Sequence, residues 1–157
     1  GQEANGRPNL VGIEAVSFNL SHSADVAALA ISRDTRVGVD VEDIREIRSD
    51  EIERALSIAE RLELAEAADA LQLETFFRFW TLKEAFMKGT GLGASLPLHD
   101  FDVSPAGPGL LRLKSAPTEP GRWRFDEFVP KPGIRAALAA RTDDRDLVVQ
   151  WRWADFE

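Results

Sequence analysis

At 157 residues the chain is long enough for one domain with a real core, and it has no cysteine, which excludes a disulfide framework, a thiolate metal site and a cysteine nucleophile. A formal net charge of −8 argues against a general nucleic-acid binder. No apolar run approaches the ~20 residues needed to span a bilayer, so the default expectation is a cytoplasmic protein with no membrane partner.

Short strands come first, at 16–20, 26–32 and 37–41, where β-branched and apolar residues alternate with small or polar ones. The first runs into Asn19-Leu20-Ser21-His22-Ser23, a polar end that could hold phosphate or simply close a hydrogen-bonded strand. In Val37-Gly38-Val39-Asp40-Val41-Glu42, residues two apart share a face, so Asp40 and Glu42 project together while Val39 and Val41 pack behind them. Carboxylates that close repel each other. A hard divalent cation, Mg²⁺ or Mn²⁺, removes the repulsion and leaves positions for water and phosphate oxygens. A solvated strand face without an ion is the alternative.

A helical middle follows at 52–56, 59–71 and 73–88, with Gly89 and Gly91 expected to stop the last helix. Ser57-Ile58-Ala59-Glu60 has the spacing of a capping box. On the last helix, steps of about 100° per residue place Glu74, Arg78, Thr81 and Lys88 on a polar sector, with Phe76, Phe79, Trp80, Leu82, Phe86 and Met87 opposite. Lys83 falls inside the apolar arc and Glu84 at its edge. An unpaired charge there would cost several kcal/mol, so Glu84 calls for a cation and Lys83 and Lys88 for an anion. A Glu84–Lys88 pair one helical turn apart is the alternative. Strands return at 101–103, 110–114, 123–129, 134–140 and 147–153, separated by Pro and Gly turns. Strands on both sides of a helical block predict an α+β fold, a mostly antiparallel sheet packed by a central group of helices.

Together, N-L-S-H-S at 19–23, V-G-V-D-V-E at 37–42, W-T-L-K-E-A-F-M-K-G-x-G-L-G at 80–93 and S-L-P-L at 95–98 resemble the 4′-phosphopantetheinyl transferases of the surfactin-synthetase-activating type. The resemblance runs from about Gly6 to His99. It implies Mg²⁺-dependent transfer of 4′-phosphopantetheine from coenzyme A to a serine of an acyl or peptidyl carrier protein. By position, Asp40, Glu42 and Glu84 match the metal carboxylates. Lys83 and Lys88 match lysines facing the coenzyme A phosphates, and Ser21 and His22 match further phosphate contacts. Arg7, in Gly6-Arg7-Pro8, stands where the family has the Lys of a G-K-P turn; the charge is kept, and Arg binds phosphate bidentately. Glu60 matches a further active-site acid, with the capping box as its other reading. Either Glu84 or Glu60 would receive the serine proton.

Members of this type have two similar halves with coenzyme A in the cleft between them. On that pattern residues 1–35 are the end of the first half, carrying the coenzyme A phosphate motif, and residues 36–157 are the catalytic second half with the metal site. Most of the first half is then absent. The expected partners are a carrier protein and either the missing N-terminal half or a second copy of the chain. A non-catalytic half that binds a partner chain or a nucleotide is the alternative. Because carrier proteins are usually acidic, docking on this acidic chain requires a local basic or apolar patch.

Overall fold

The structure, a computed structural model, describes residues 16–33, 35–107, 110–113, 123–142 and 147–154. In chain order, β1 (Val16–Ser23) and β2 (Val26–Arg33) precede β3 (Val37–Asp43). The helices α1 (Ser49–Ala55), α2 (Ile58–Glu66) and α3 (Gln72–Thr90) follow, and then β4 (Val103–Gly107), β5 (Leu110–Leu113), β6 (Trp123–Phe128) and β7 (Ile134–Arg141). This is an α+β fold whose strands pair antiparallel. Among the described residues they form three sheets rather than one: the hairpin β1-β2, the central sheet β3-β7-β6, and the hairpin β4-β5.

The core lies between α3 and the central sheet. Helix α3 buries Phe76, Phe79, Leu82, Ala85 and Phe86, and β7 offers it Ala137 and Ala139, small enough to let the helix settle close. Rings from other elements close around Phe86: Trp123 edge-on at 5.0 Å between centroids, Phe101 at 5.3 Å and Phe125 at 6.1 Å. The helix comes nearest to β3 at Gly38 and Gly89. A Cβ on Gly38 would overlap the Ala85 carbonyl oxygen and the Gly89 nitrogen, and one on Gly89 would stand 2.7 Å from the Trp123 ring. Gly89 therefore serves packing and does not end the helix. The stop is Gly91, left-handed at φ 75°, whose N–H reaches Met87 O at 3.2 Å.

The free edge of β3 is closed in an uncommon way. Strand β1 runs beside it in the same direction but contributes side chains instead of backbone. Ser17 Oγ, Asn19 Oδ1, Ser21 Oγ and Ser23 Oγ accept from the N–H groups of Val37 (3.3 Å), Val39 (2.8 Å), Val41 (3.3 Å) and Asp43 (3.0 Å), at a constant offset of 20 residues. Because alternate residues of β1 face β3, its other residues face away, and the outer side of the hairpin carries the exposed Leu20, Leu29 and Ile31.

Three expected elements differ. The helix expected at 59–71 ends at Glu66, and Asp69–Leu71 is a separate 3-10 turn. The strand expected at 101–103 begins only at Val103. The stretch 147–153 is not a strand, although its alternation is present: Leu147, Val149 and Trp151 are partly buried while Val148 and Gln150 are exposed. It is fixed by side chains, with Trp151 stacked on Phe128 at 4.7 Å. Periodicity reports burial, and here burial comes without a ladder.

Candidate active site

Where α3 presses onto β3, the close approach at Gly38 and Gly89 brings the charged ends of both elements together. Asp40 is buried on β3, and its Oδ1 receives Lys88 Nζ from α3 at 2.6 Å and Ser21 Oγ from β1 at 3.0 Å. Lys88 also donates to Ser21 Oγ at 2.9 Å. The second Asp40 oxygen, Oδ2, is buried with no hydrogen-bond partner among the described residues. Glu42, one step along the same strand face, receives Trp80 Nε1 at 3.3 Å.

Glu84 sits one helical turn before Lys88, and the three acids act on each other. Burial raises the Asp40 carboxyl above its usual range, opposed by Lys88 and Ser21. Burial, then the Asp40 charge, raises Glu42. Glu84 is pushed up to about 7 by burial and by Asp40 and Glu42, against Lys88. Among the described residues the three carboxylates are offset by the Lys88 ammonium and, at Glu42, by the Arg45 guanidinium, so positive charge is short. Among the described residues, however, no group of three acids or histidines stands close enough to hold a metal ion as placed.

Lys83 and Glu60 form a second and separate cluster. Lys83 is fully buried and donates to Glu60 Oε2, with its ammonium 4.9 Å from the centroid of the Phe101 ring. Glu60 takes the Ser57 N–H on Oε2 (3.0 Å) and the Val103 N–H on Oε1 (2.8 Å). The capping box at the start of α2 is formed, and Ser57 Oγ also meets Asp102. Burial pulls the Lys83 ammonium below its ordinary value, with Glu60 opposing. The pair ties α2 and the start of β4 to α3. Lys83→Met should therefore lower stability by about 3 kcal/mol, because it strands a buried carboxylate; urea unfolding measures this. No loss would mean that the pair is structurally neutral.

The expected site residues thus divide. Asp40, Glu42, Glu84, Lys88 and Ser21 come together; Lys83 and Glu60 pair with each other in the core. His22, next to Ser21 in sequence, is exposed on the opposite face of β1. Arg7 lies outside the described residues. Trp80, which holds Glu42, and Asp102, which joins the Glu60 group, are not among the expected site residues. Trp80 lies four residues before Glu84, and that spacing was the available signal.

Comparison with known proteins bears on this arrangement. The profile of the 4′-phosphopantetheinyl transferase superfamily matches residues 36–142. The chain is 40% identical over 113 residues to the 4′-phosphopantetheinyl transferase psf-1 of Bacillus pumilus, covering 71% of this chain and 48% of that protein. It is 33% identical over 143 residues to the 4′-phosphopantetheinyl transferase HetI of a Nostoc species, covering 87% and 58%. The chain therefore spans about half the length of the curated relatives it matches. A holo-(acyl-carrier-protein) synthase from Bacillus anthracis, solved in complex with CoA (3′,5′-ADP), shares the fold with TM-score 0.57 and 18% identity over 67% of this chain and 93% of that one. By profile and by identity, the chain belongs to the 4′-phosphopantetheinyl transferase superfamily.

Proposed function

We propose that the chain carries the catalytic part of a Mg²⁺-dependent 4′-phosphopantetheinyl transferase, which moves phosphopantetheine from coenzyme A to a serine of an acyl or peptidyl carrier protein. The observation that carries this reading is the meeting of Asp40, Glu42, Glu84 and Lys88 where α3 touches β3, in a chain of this superfamily. The donor set fits a hard cation: all-oxygen ligands, an excess of negative charge, and the buried, unpartnered Asp40 Oδ2. As placed, the three acids are not all within reach of one ion. When bound, Mg²⁺ supplies charge neutralisation at the pyrophosphate.

The chain's own residues do the rest. Lys88, partly exposed beside Asp40, is placed to hold a phosphate oxygen. The serine oxygen bonds to the β-phosphorus, the pyrophosphate bridge breaks and 3′,5′-ADP leaves. The serine proton passes, directly or through water, to Glu84, the acid on α3 that lies beside Asp40 and Lys88. Glu60 is the weaker acceptor because both its oxygens are engaged by Lys83, Ser57 and Val103.

For partners, the outer face of β1-β2 supports a second polypeptide, either an N-terminal half or another copy of the chain. Leu20, Leu29 and Ile31 are each more than half exposed there, and a contiguous apolar face on a soluble monomer calls for a cover. The test of function is mass spectrometry of carrier proteins incubated with the chain, coenzyme A and Mg²⁺. One added phosphopantetheinyl group on a serine is expected. A carrier that gains no mass, with or without an added N-terminal half, would favour a non-catalytic binding role.

A further inference from the structure

The hydroxyl of Ser21 is fully committed. A serine oxygen donates one hydrogen and accepts two. Here it accepts from Lys88 Nζ (2.9 Å) and from the Val41 N–H (3.3 Å), and it donates to Asp40 Oδ1 (3.0 Å). Ser21 is itself buried, so no water supplements these bonds from an open side. Nothing is left over for a phosphate oxygen. Its bonds converge on one atom instead: Asp40 Oδ1 takes both the Ser21 hydroxyl and the Lys88 ammonium, while Oδ2 has neither.

We propose that Ser21 is a positioning residue for Asp40 and not a phosphate ligand: it locks Oδ1 in place and so presents Oδ2 as the oxygen that meets a divalent cation. The inference rests on the metal reading given above and assigns the hydroxyl a role within it. A ligating carboxylate whose orientation is fixed by a hydrogen bond from behind binds a metal better than a free one, and loss of such an outer partner costs 10- to 100-fold in affinity. The strand supplies the hydroxyl at the right depth because alternate β1 side chains reach β3 at a constant offset, and Ser21 is the rung that lands beside Asp40.

The test measures Mn²⁺ affinity of the whole chain directly, by electron paramagnetic resonance titration without coenzyme A, and coenzyme A affinity by calorimetry without a divalent ion. Ser21→Ala should weaken Mn²⁺ binding by roughly 10-fold or more and leave metal-free coenzyme A binding unchanged, while Ser21→Thr, which keeps the hydroxyl, should restore Mn²⁺ binding. Ser23→Ala is the control for simple loosening of the hairpin. It removes a neighbouring rung, to the Asp43 N–H, without touching Asp40, and should leave Mn²⁺ affinity as it was. If Ser21→Ala instead weakens coenzyme A and spares Mn²⁺, or if Ser23→Ala weakens Mn²⁺ equally, the positioning role is overturned. A natural chain that binds no Mn²⁺ at all overturns the metal reading itself along with it, which separates the two failures.

Discussion

In buffer free of divalent ions, Glu84→Gln should unfold at higher urea than the natural chain at pH 8, and it should transfer phosphopantetheine at least roughly 10²-fold more slowly when Mg²⁺ is supplied. The stability gain follows from the displaced carboxyl, pushed up to about 7 from 4.5. Between those values the folded chain keeps a proton that the unfolded chain has released, so stability falls as pH rises through the window. At ~1.4 kcal/mol for each pH unit, the difference between 4.5 and 7 comes to about 3 kcal/mol lost at full ionisation. Glutamine cannot ionise and escapes that loss. The two proteins should converge near pH 4 and separate by up to about 3 kcal/mol at pH 8, and saturating Mg²⁺ should narrow the gap by stabilising the natural chain. A difference that does not vary with pH would show that neither burial nor the neighbouring acids displace the Glu84 carboxyl.

The second large effect is expected from backbone packing alone. Gly38→Ala places a methyl group into the Ala85 carbonyl and the Gly89 nitrogen, and 2.8 Å from the Gly89 Cα. These are backbone atoms of α3, so no side-chain rotation relieves the clash. Overpacking against a rigid helix should cost about 4 kcal/mol or more, which at this chain length is roughly 8–16 °C in melting temperature. Any chain that folds despite it would have to push α3 outward and draw Lys88 away from Asp40. Calorimetry of Gly38→Ala reads the first effect, and Mn²⁺ titration of whatever remains folded reads the second. A melting temperature within a few degrees of the natural chain would show that helix and strand have slack.

What the sequence could reveal depended on whether a residue's role is local. Asp40 and Glu42 share a strand face by periodicity alone, and Lys83 stands out because a charge in an apolar arc must have a partner. The partner itself is Glu60, a residue 23 positions earlier on another helix, and no local pattern joins them. Of the two readings of Glu60, cap or active-site acid, the structure forms the cap, and the same carboxylate also takes the Val103 N–H and Lys83. Gly89 reads as a helix stop because glycine is frequent there, and the competing use, close approach of two backbones, leaves the same letter in the sequence. The resemblance pairs Ser21 and His22 as phosphate contacts, whereas a strand sends neighbours to opposite faces.

The side-chain rungs between β1 and β3 also change what mutation can do to a sheet. In an ordinary ladder the bonds belong to the main chain, and any residue except proline can be exchanged without breaking one. Here the acceptors at Ser17, Asn19, Ser21 and Ser23 are genetically encoded, so a single base change can open the edge of β3 at a chosen amide. Hydrogen exchange at Val37, Val39, Val41 and Asp43 becomes a readout of sequence as well as of fold. Replacing all four acceptors with alanine would leave the backbone of β3 unaltered while exposing a strand edge ready to pair with another molecule, so the polar residues of β1 guard against aggregation as much as they serve the site beside them.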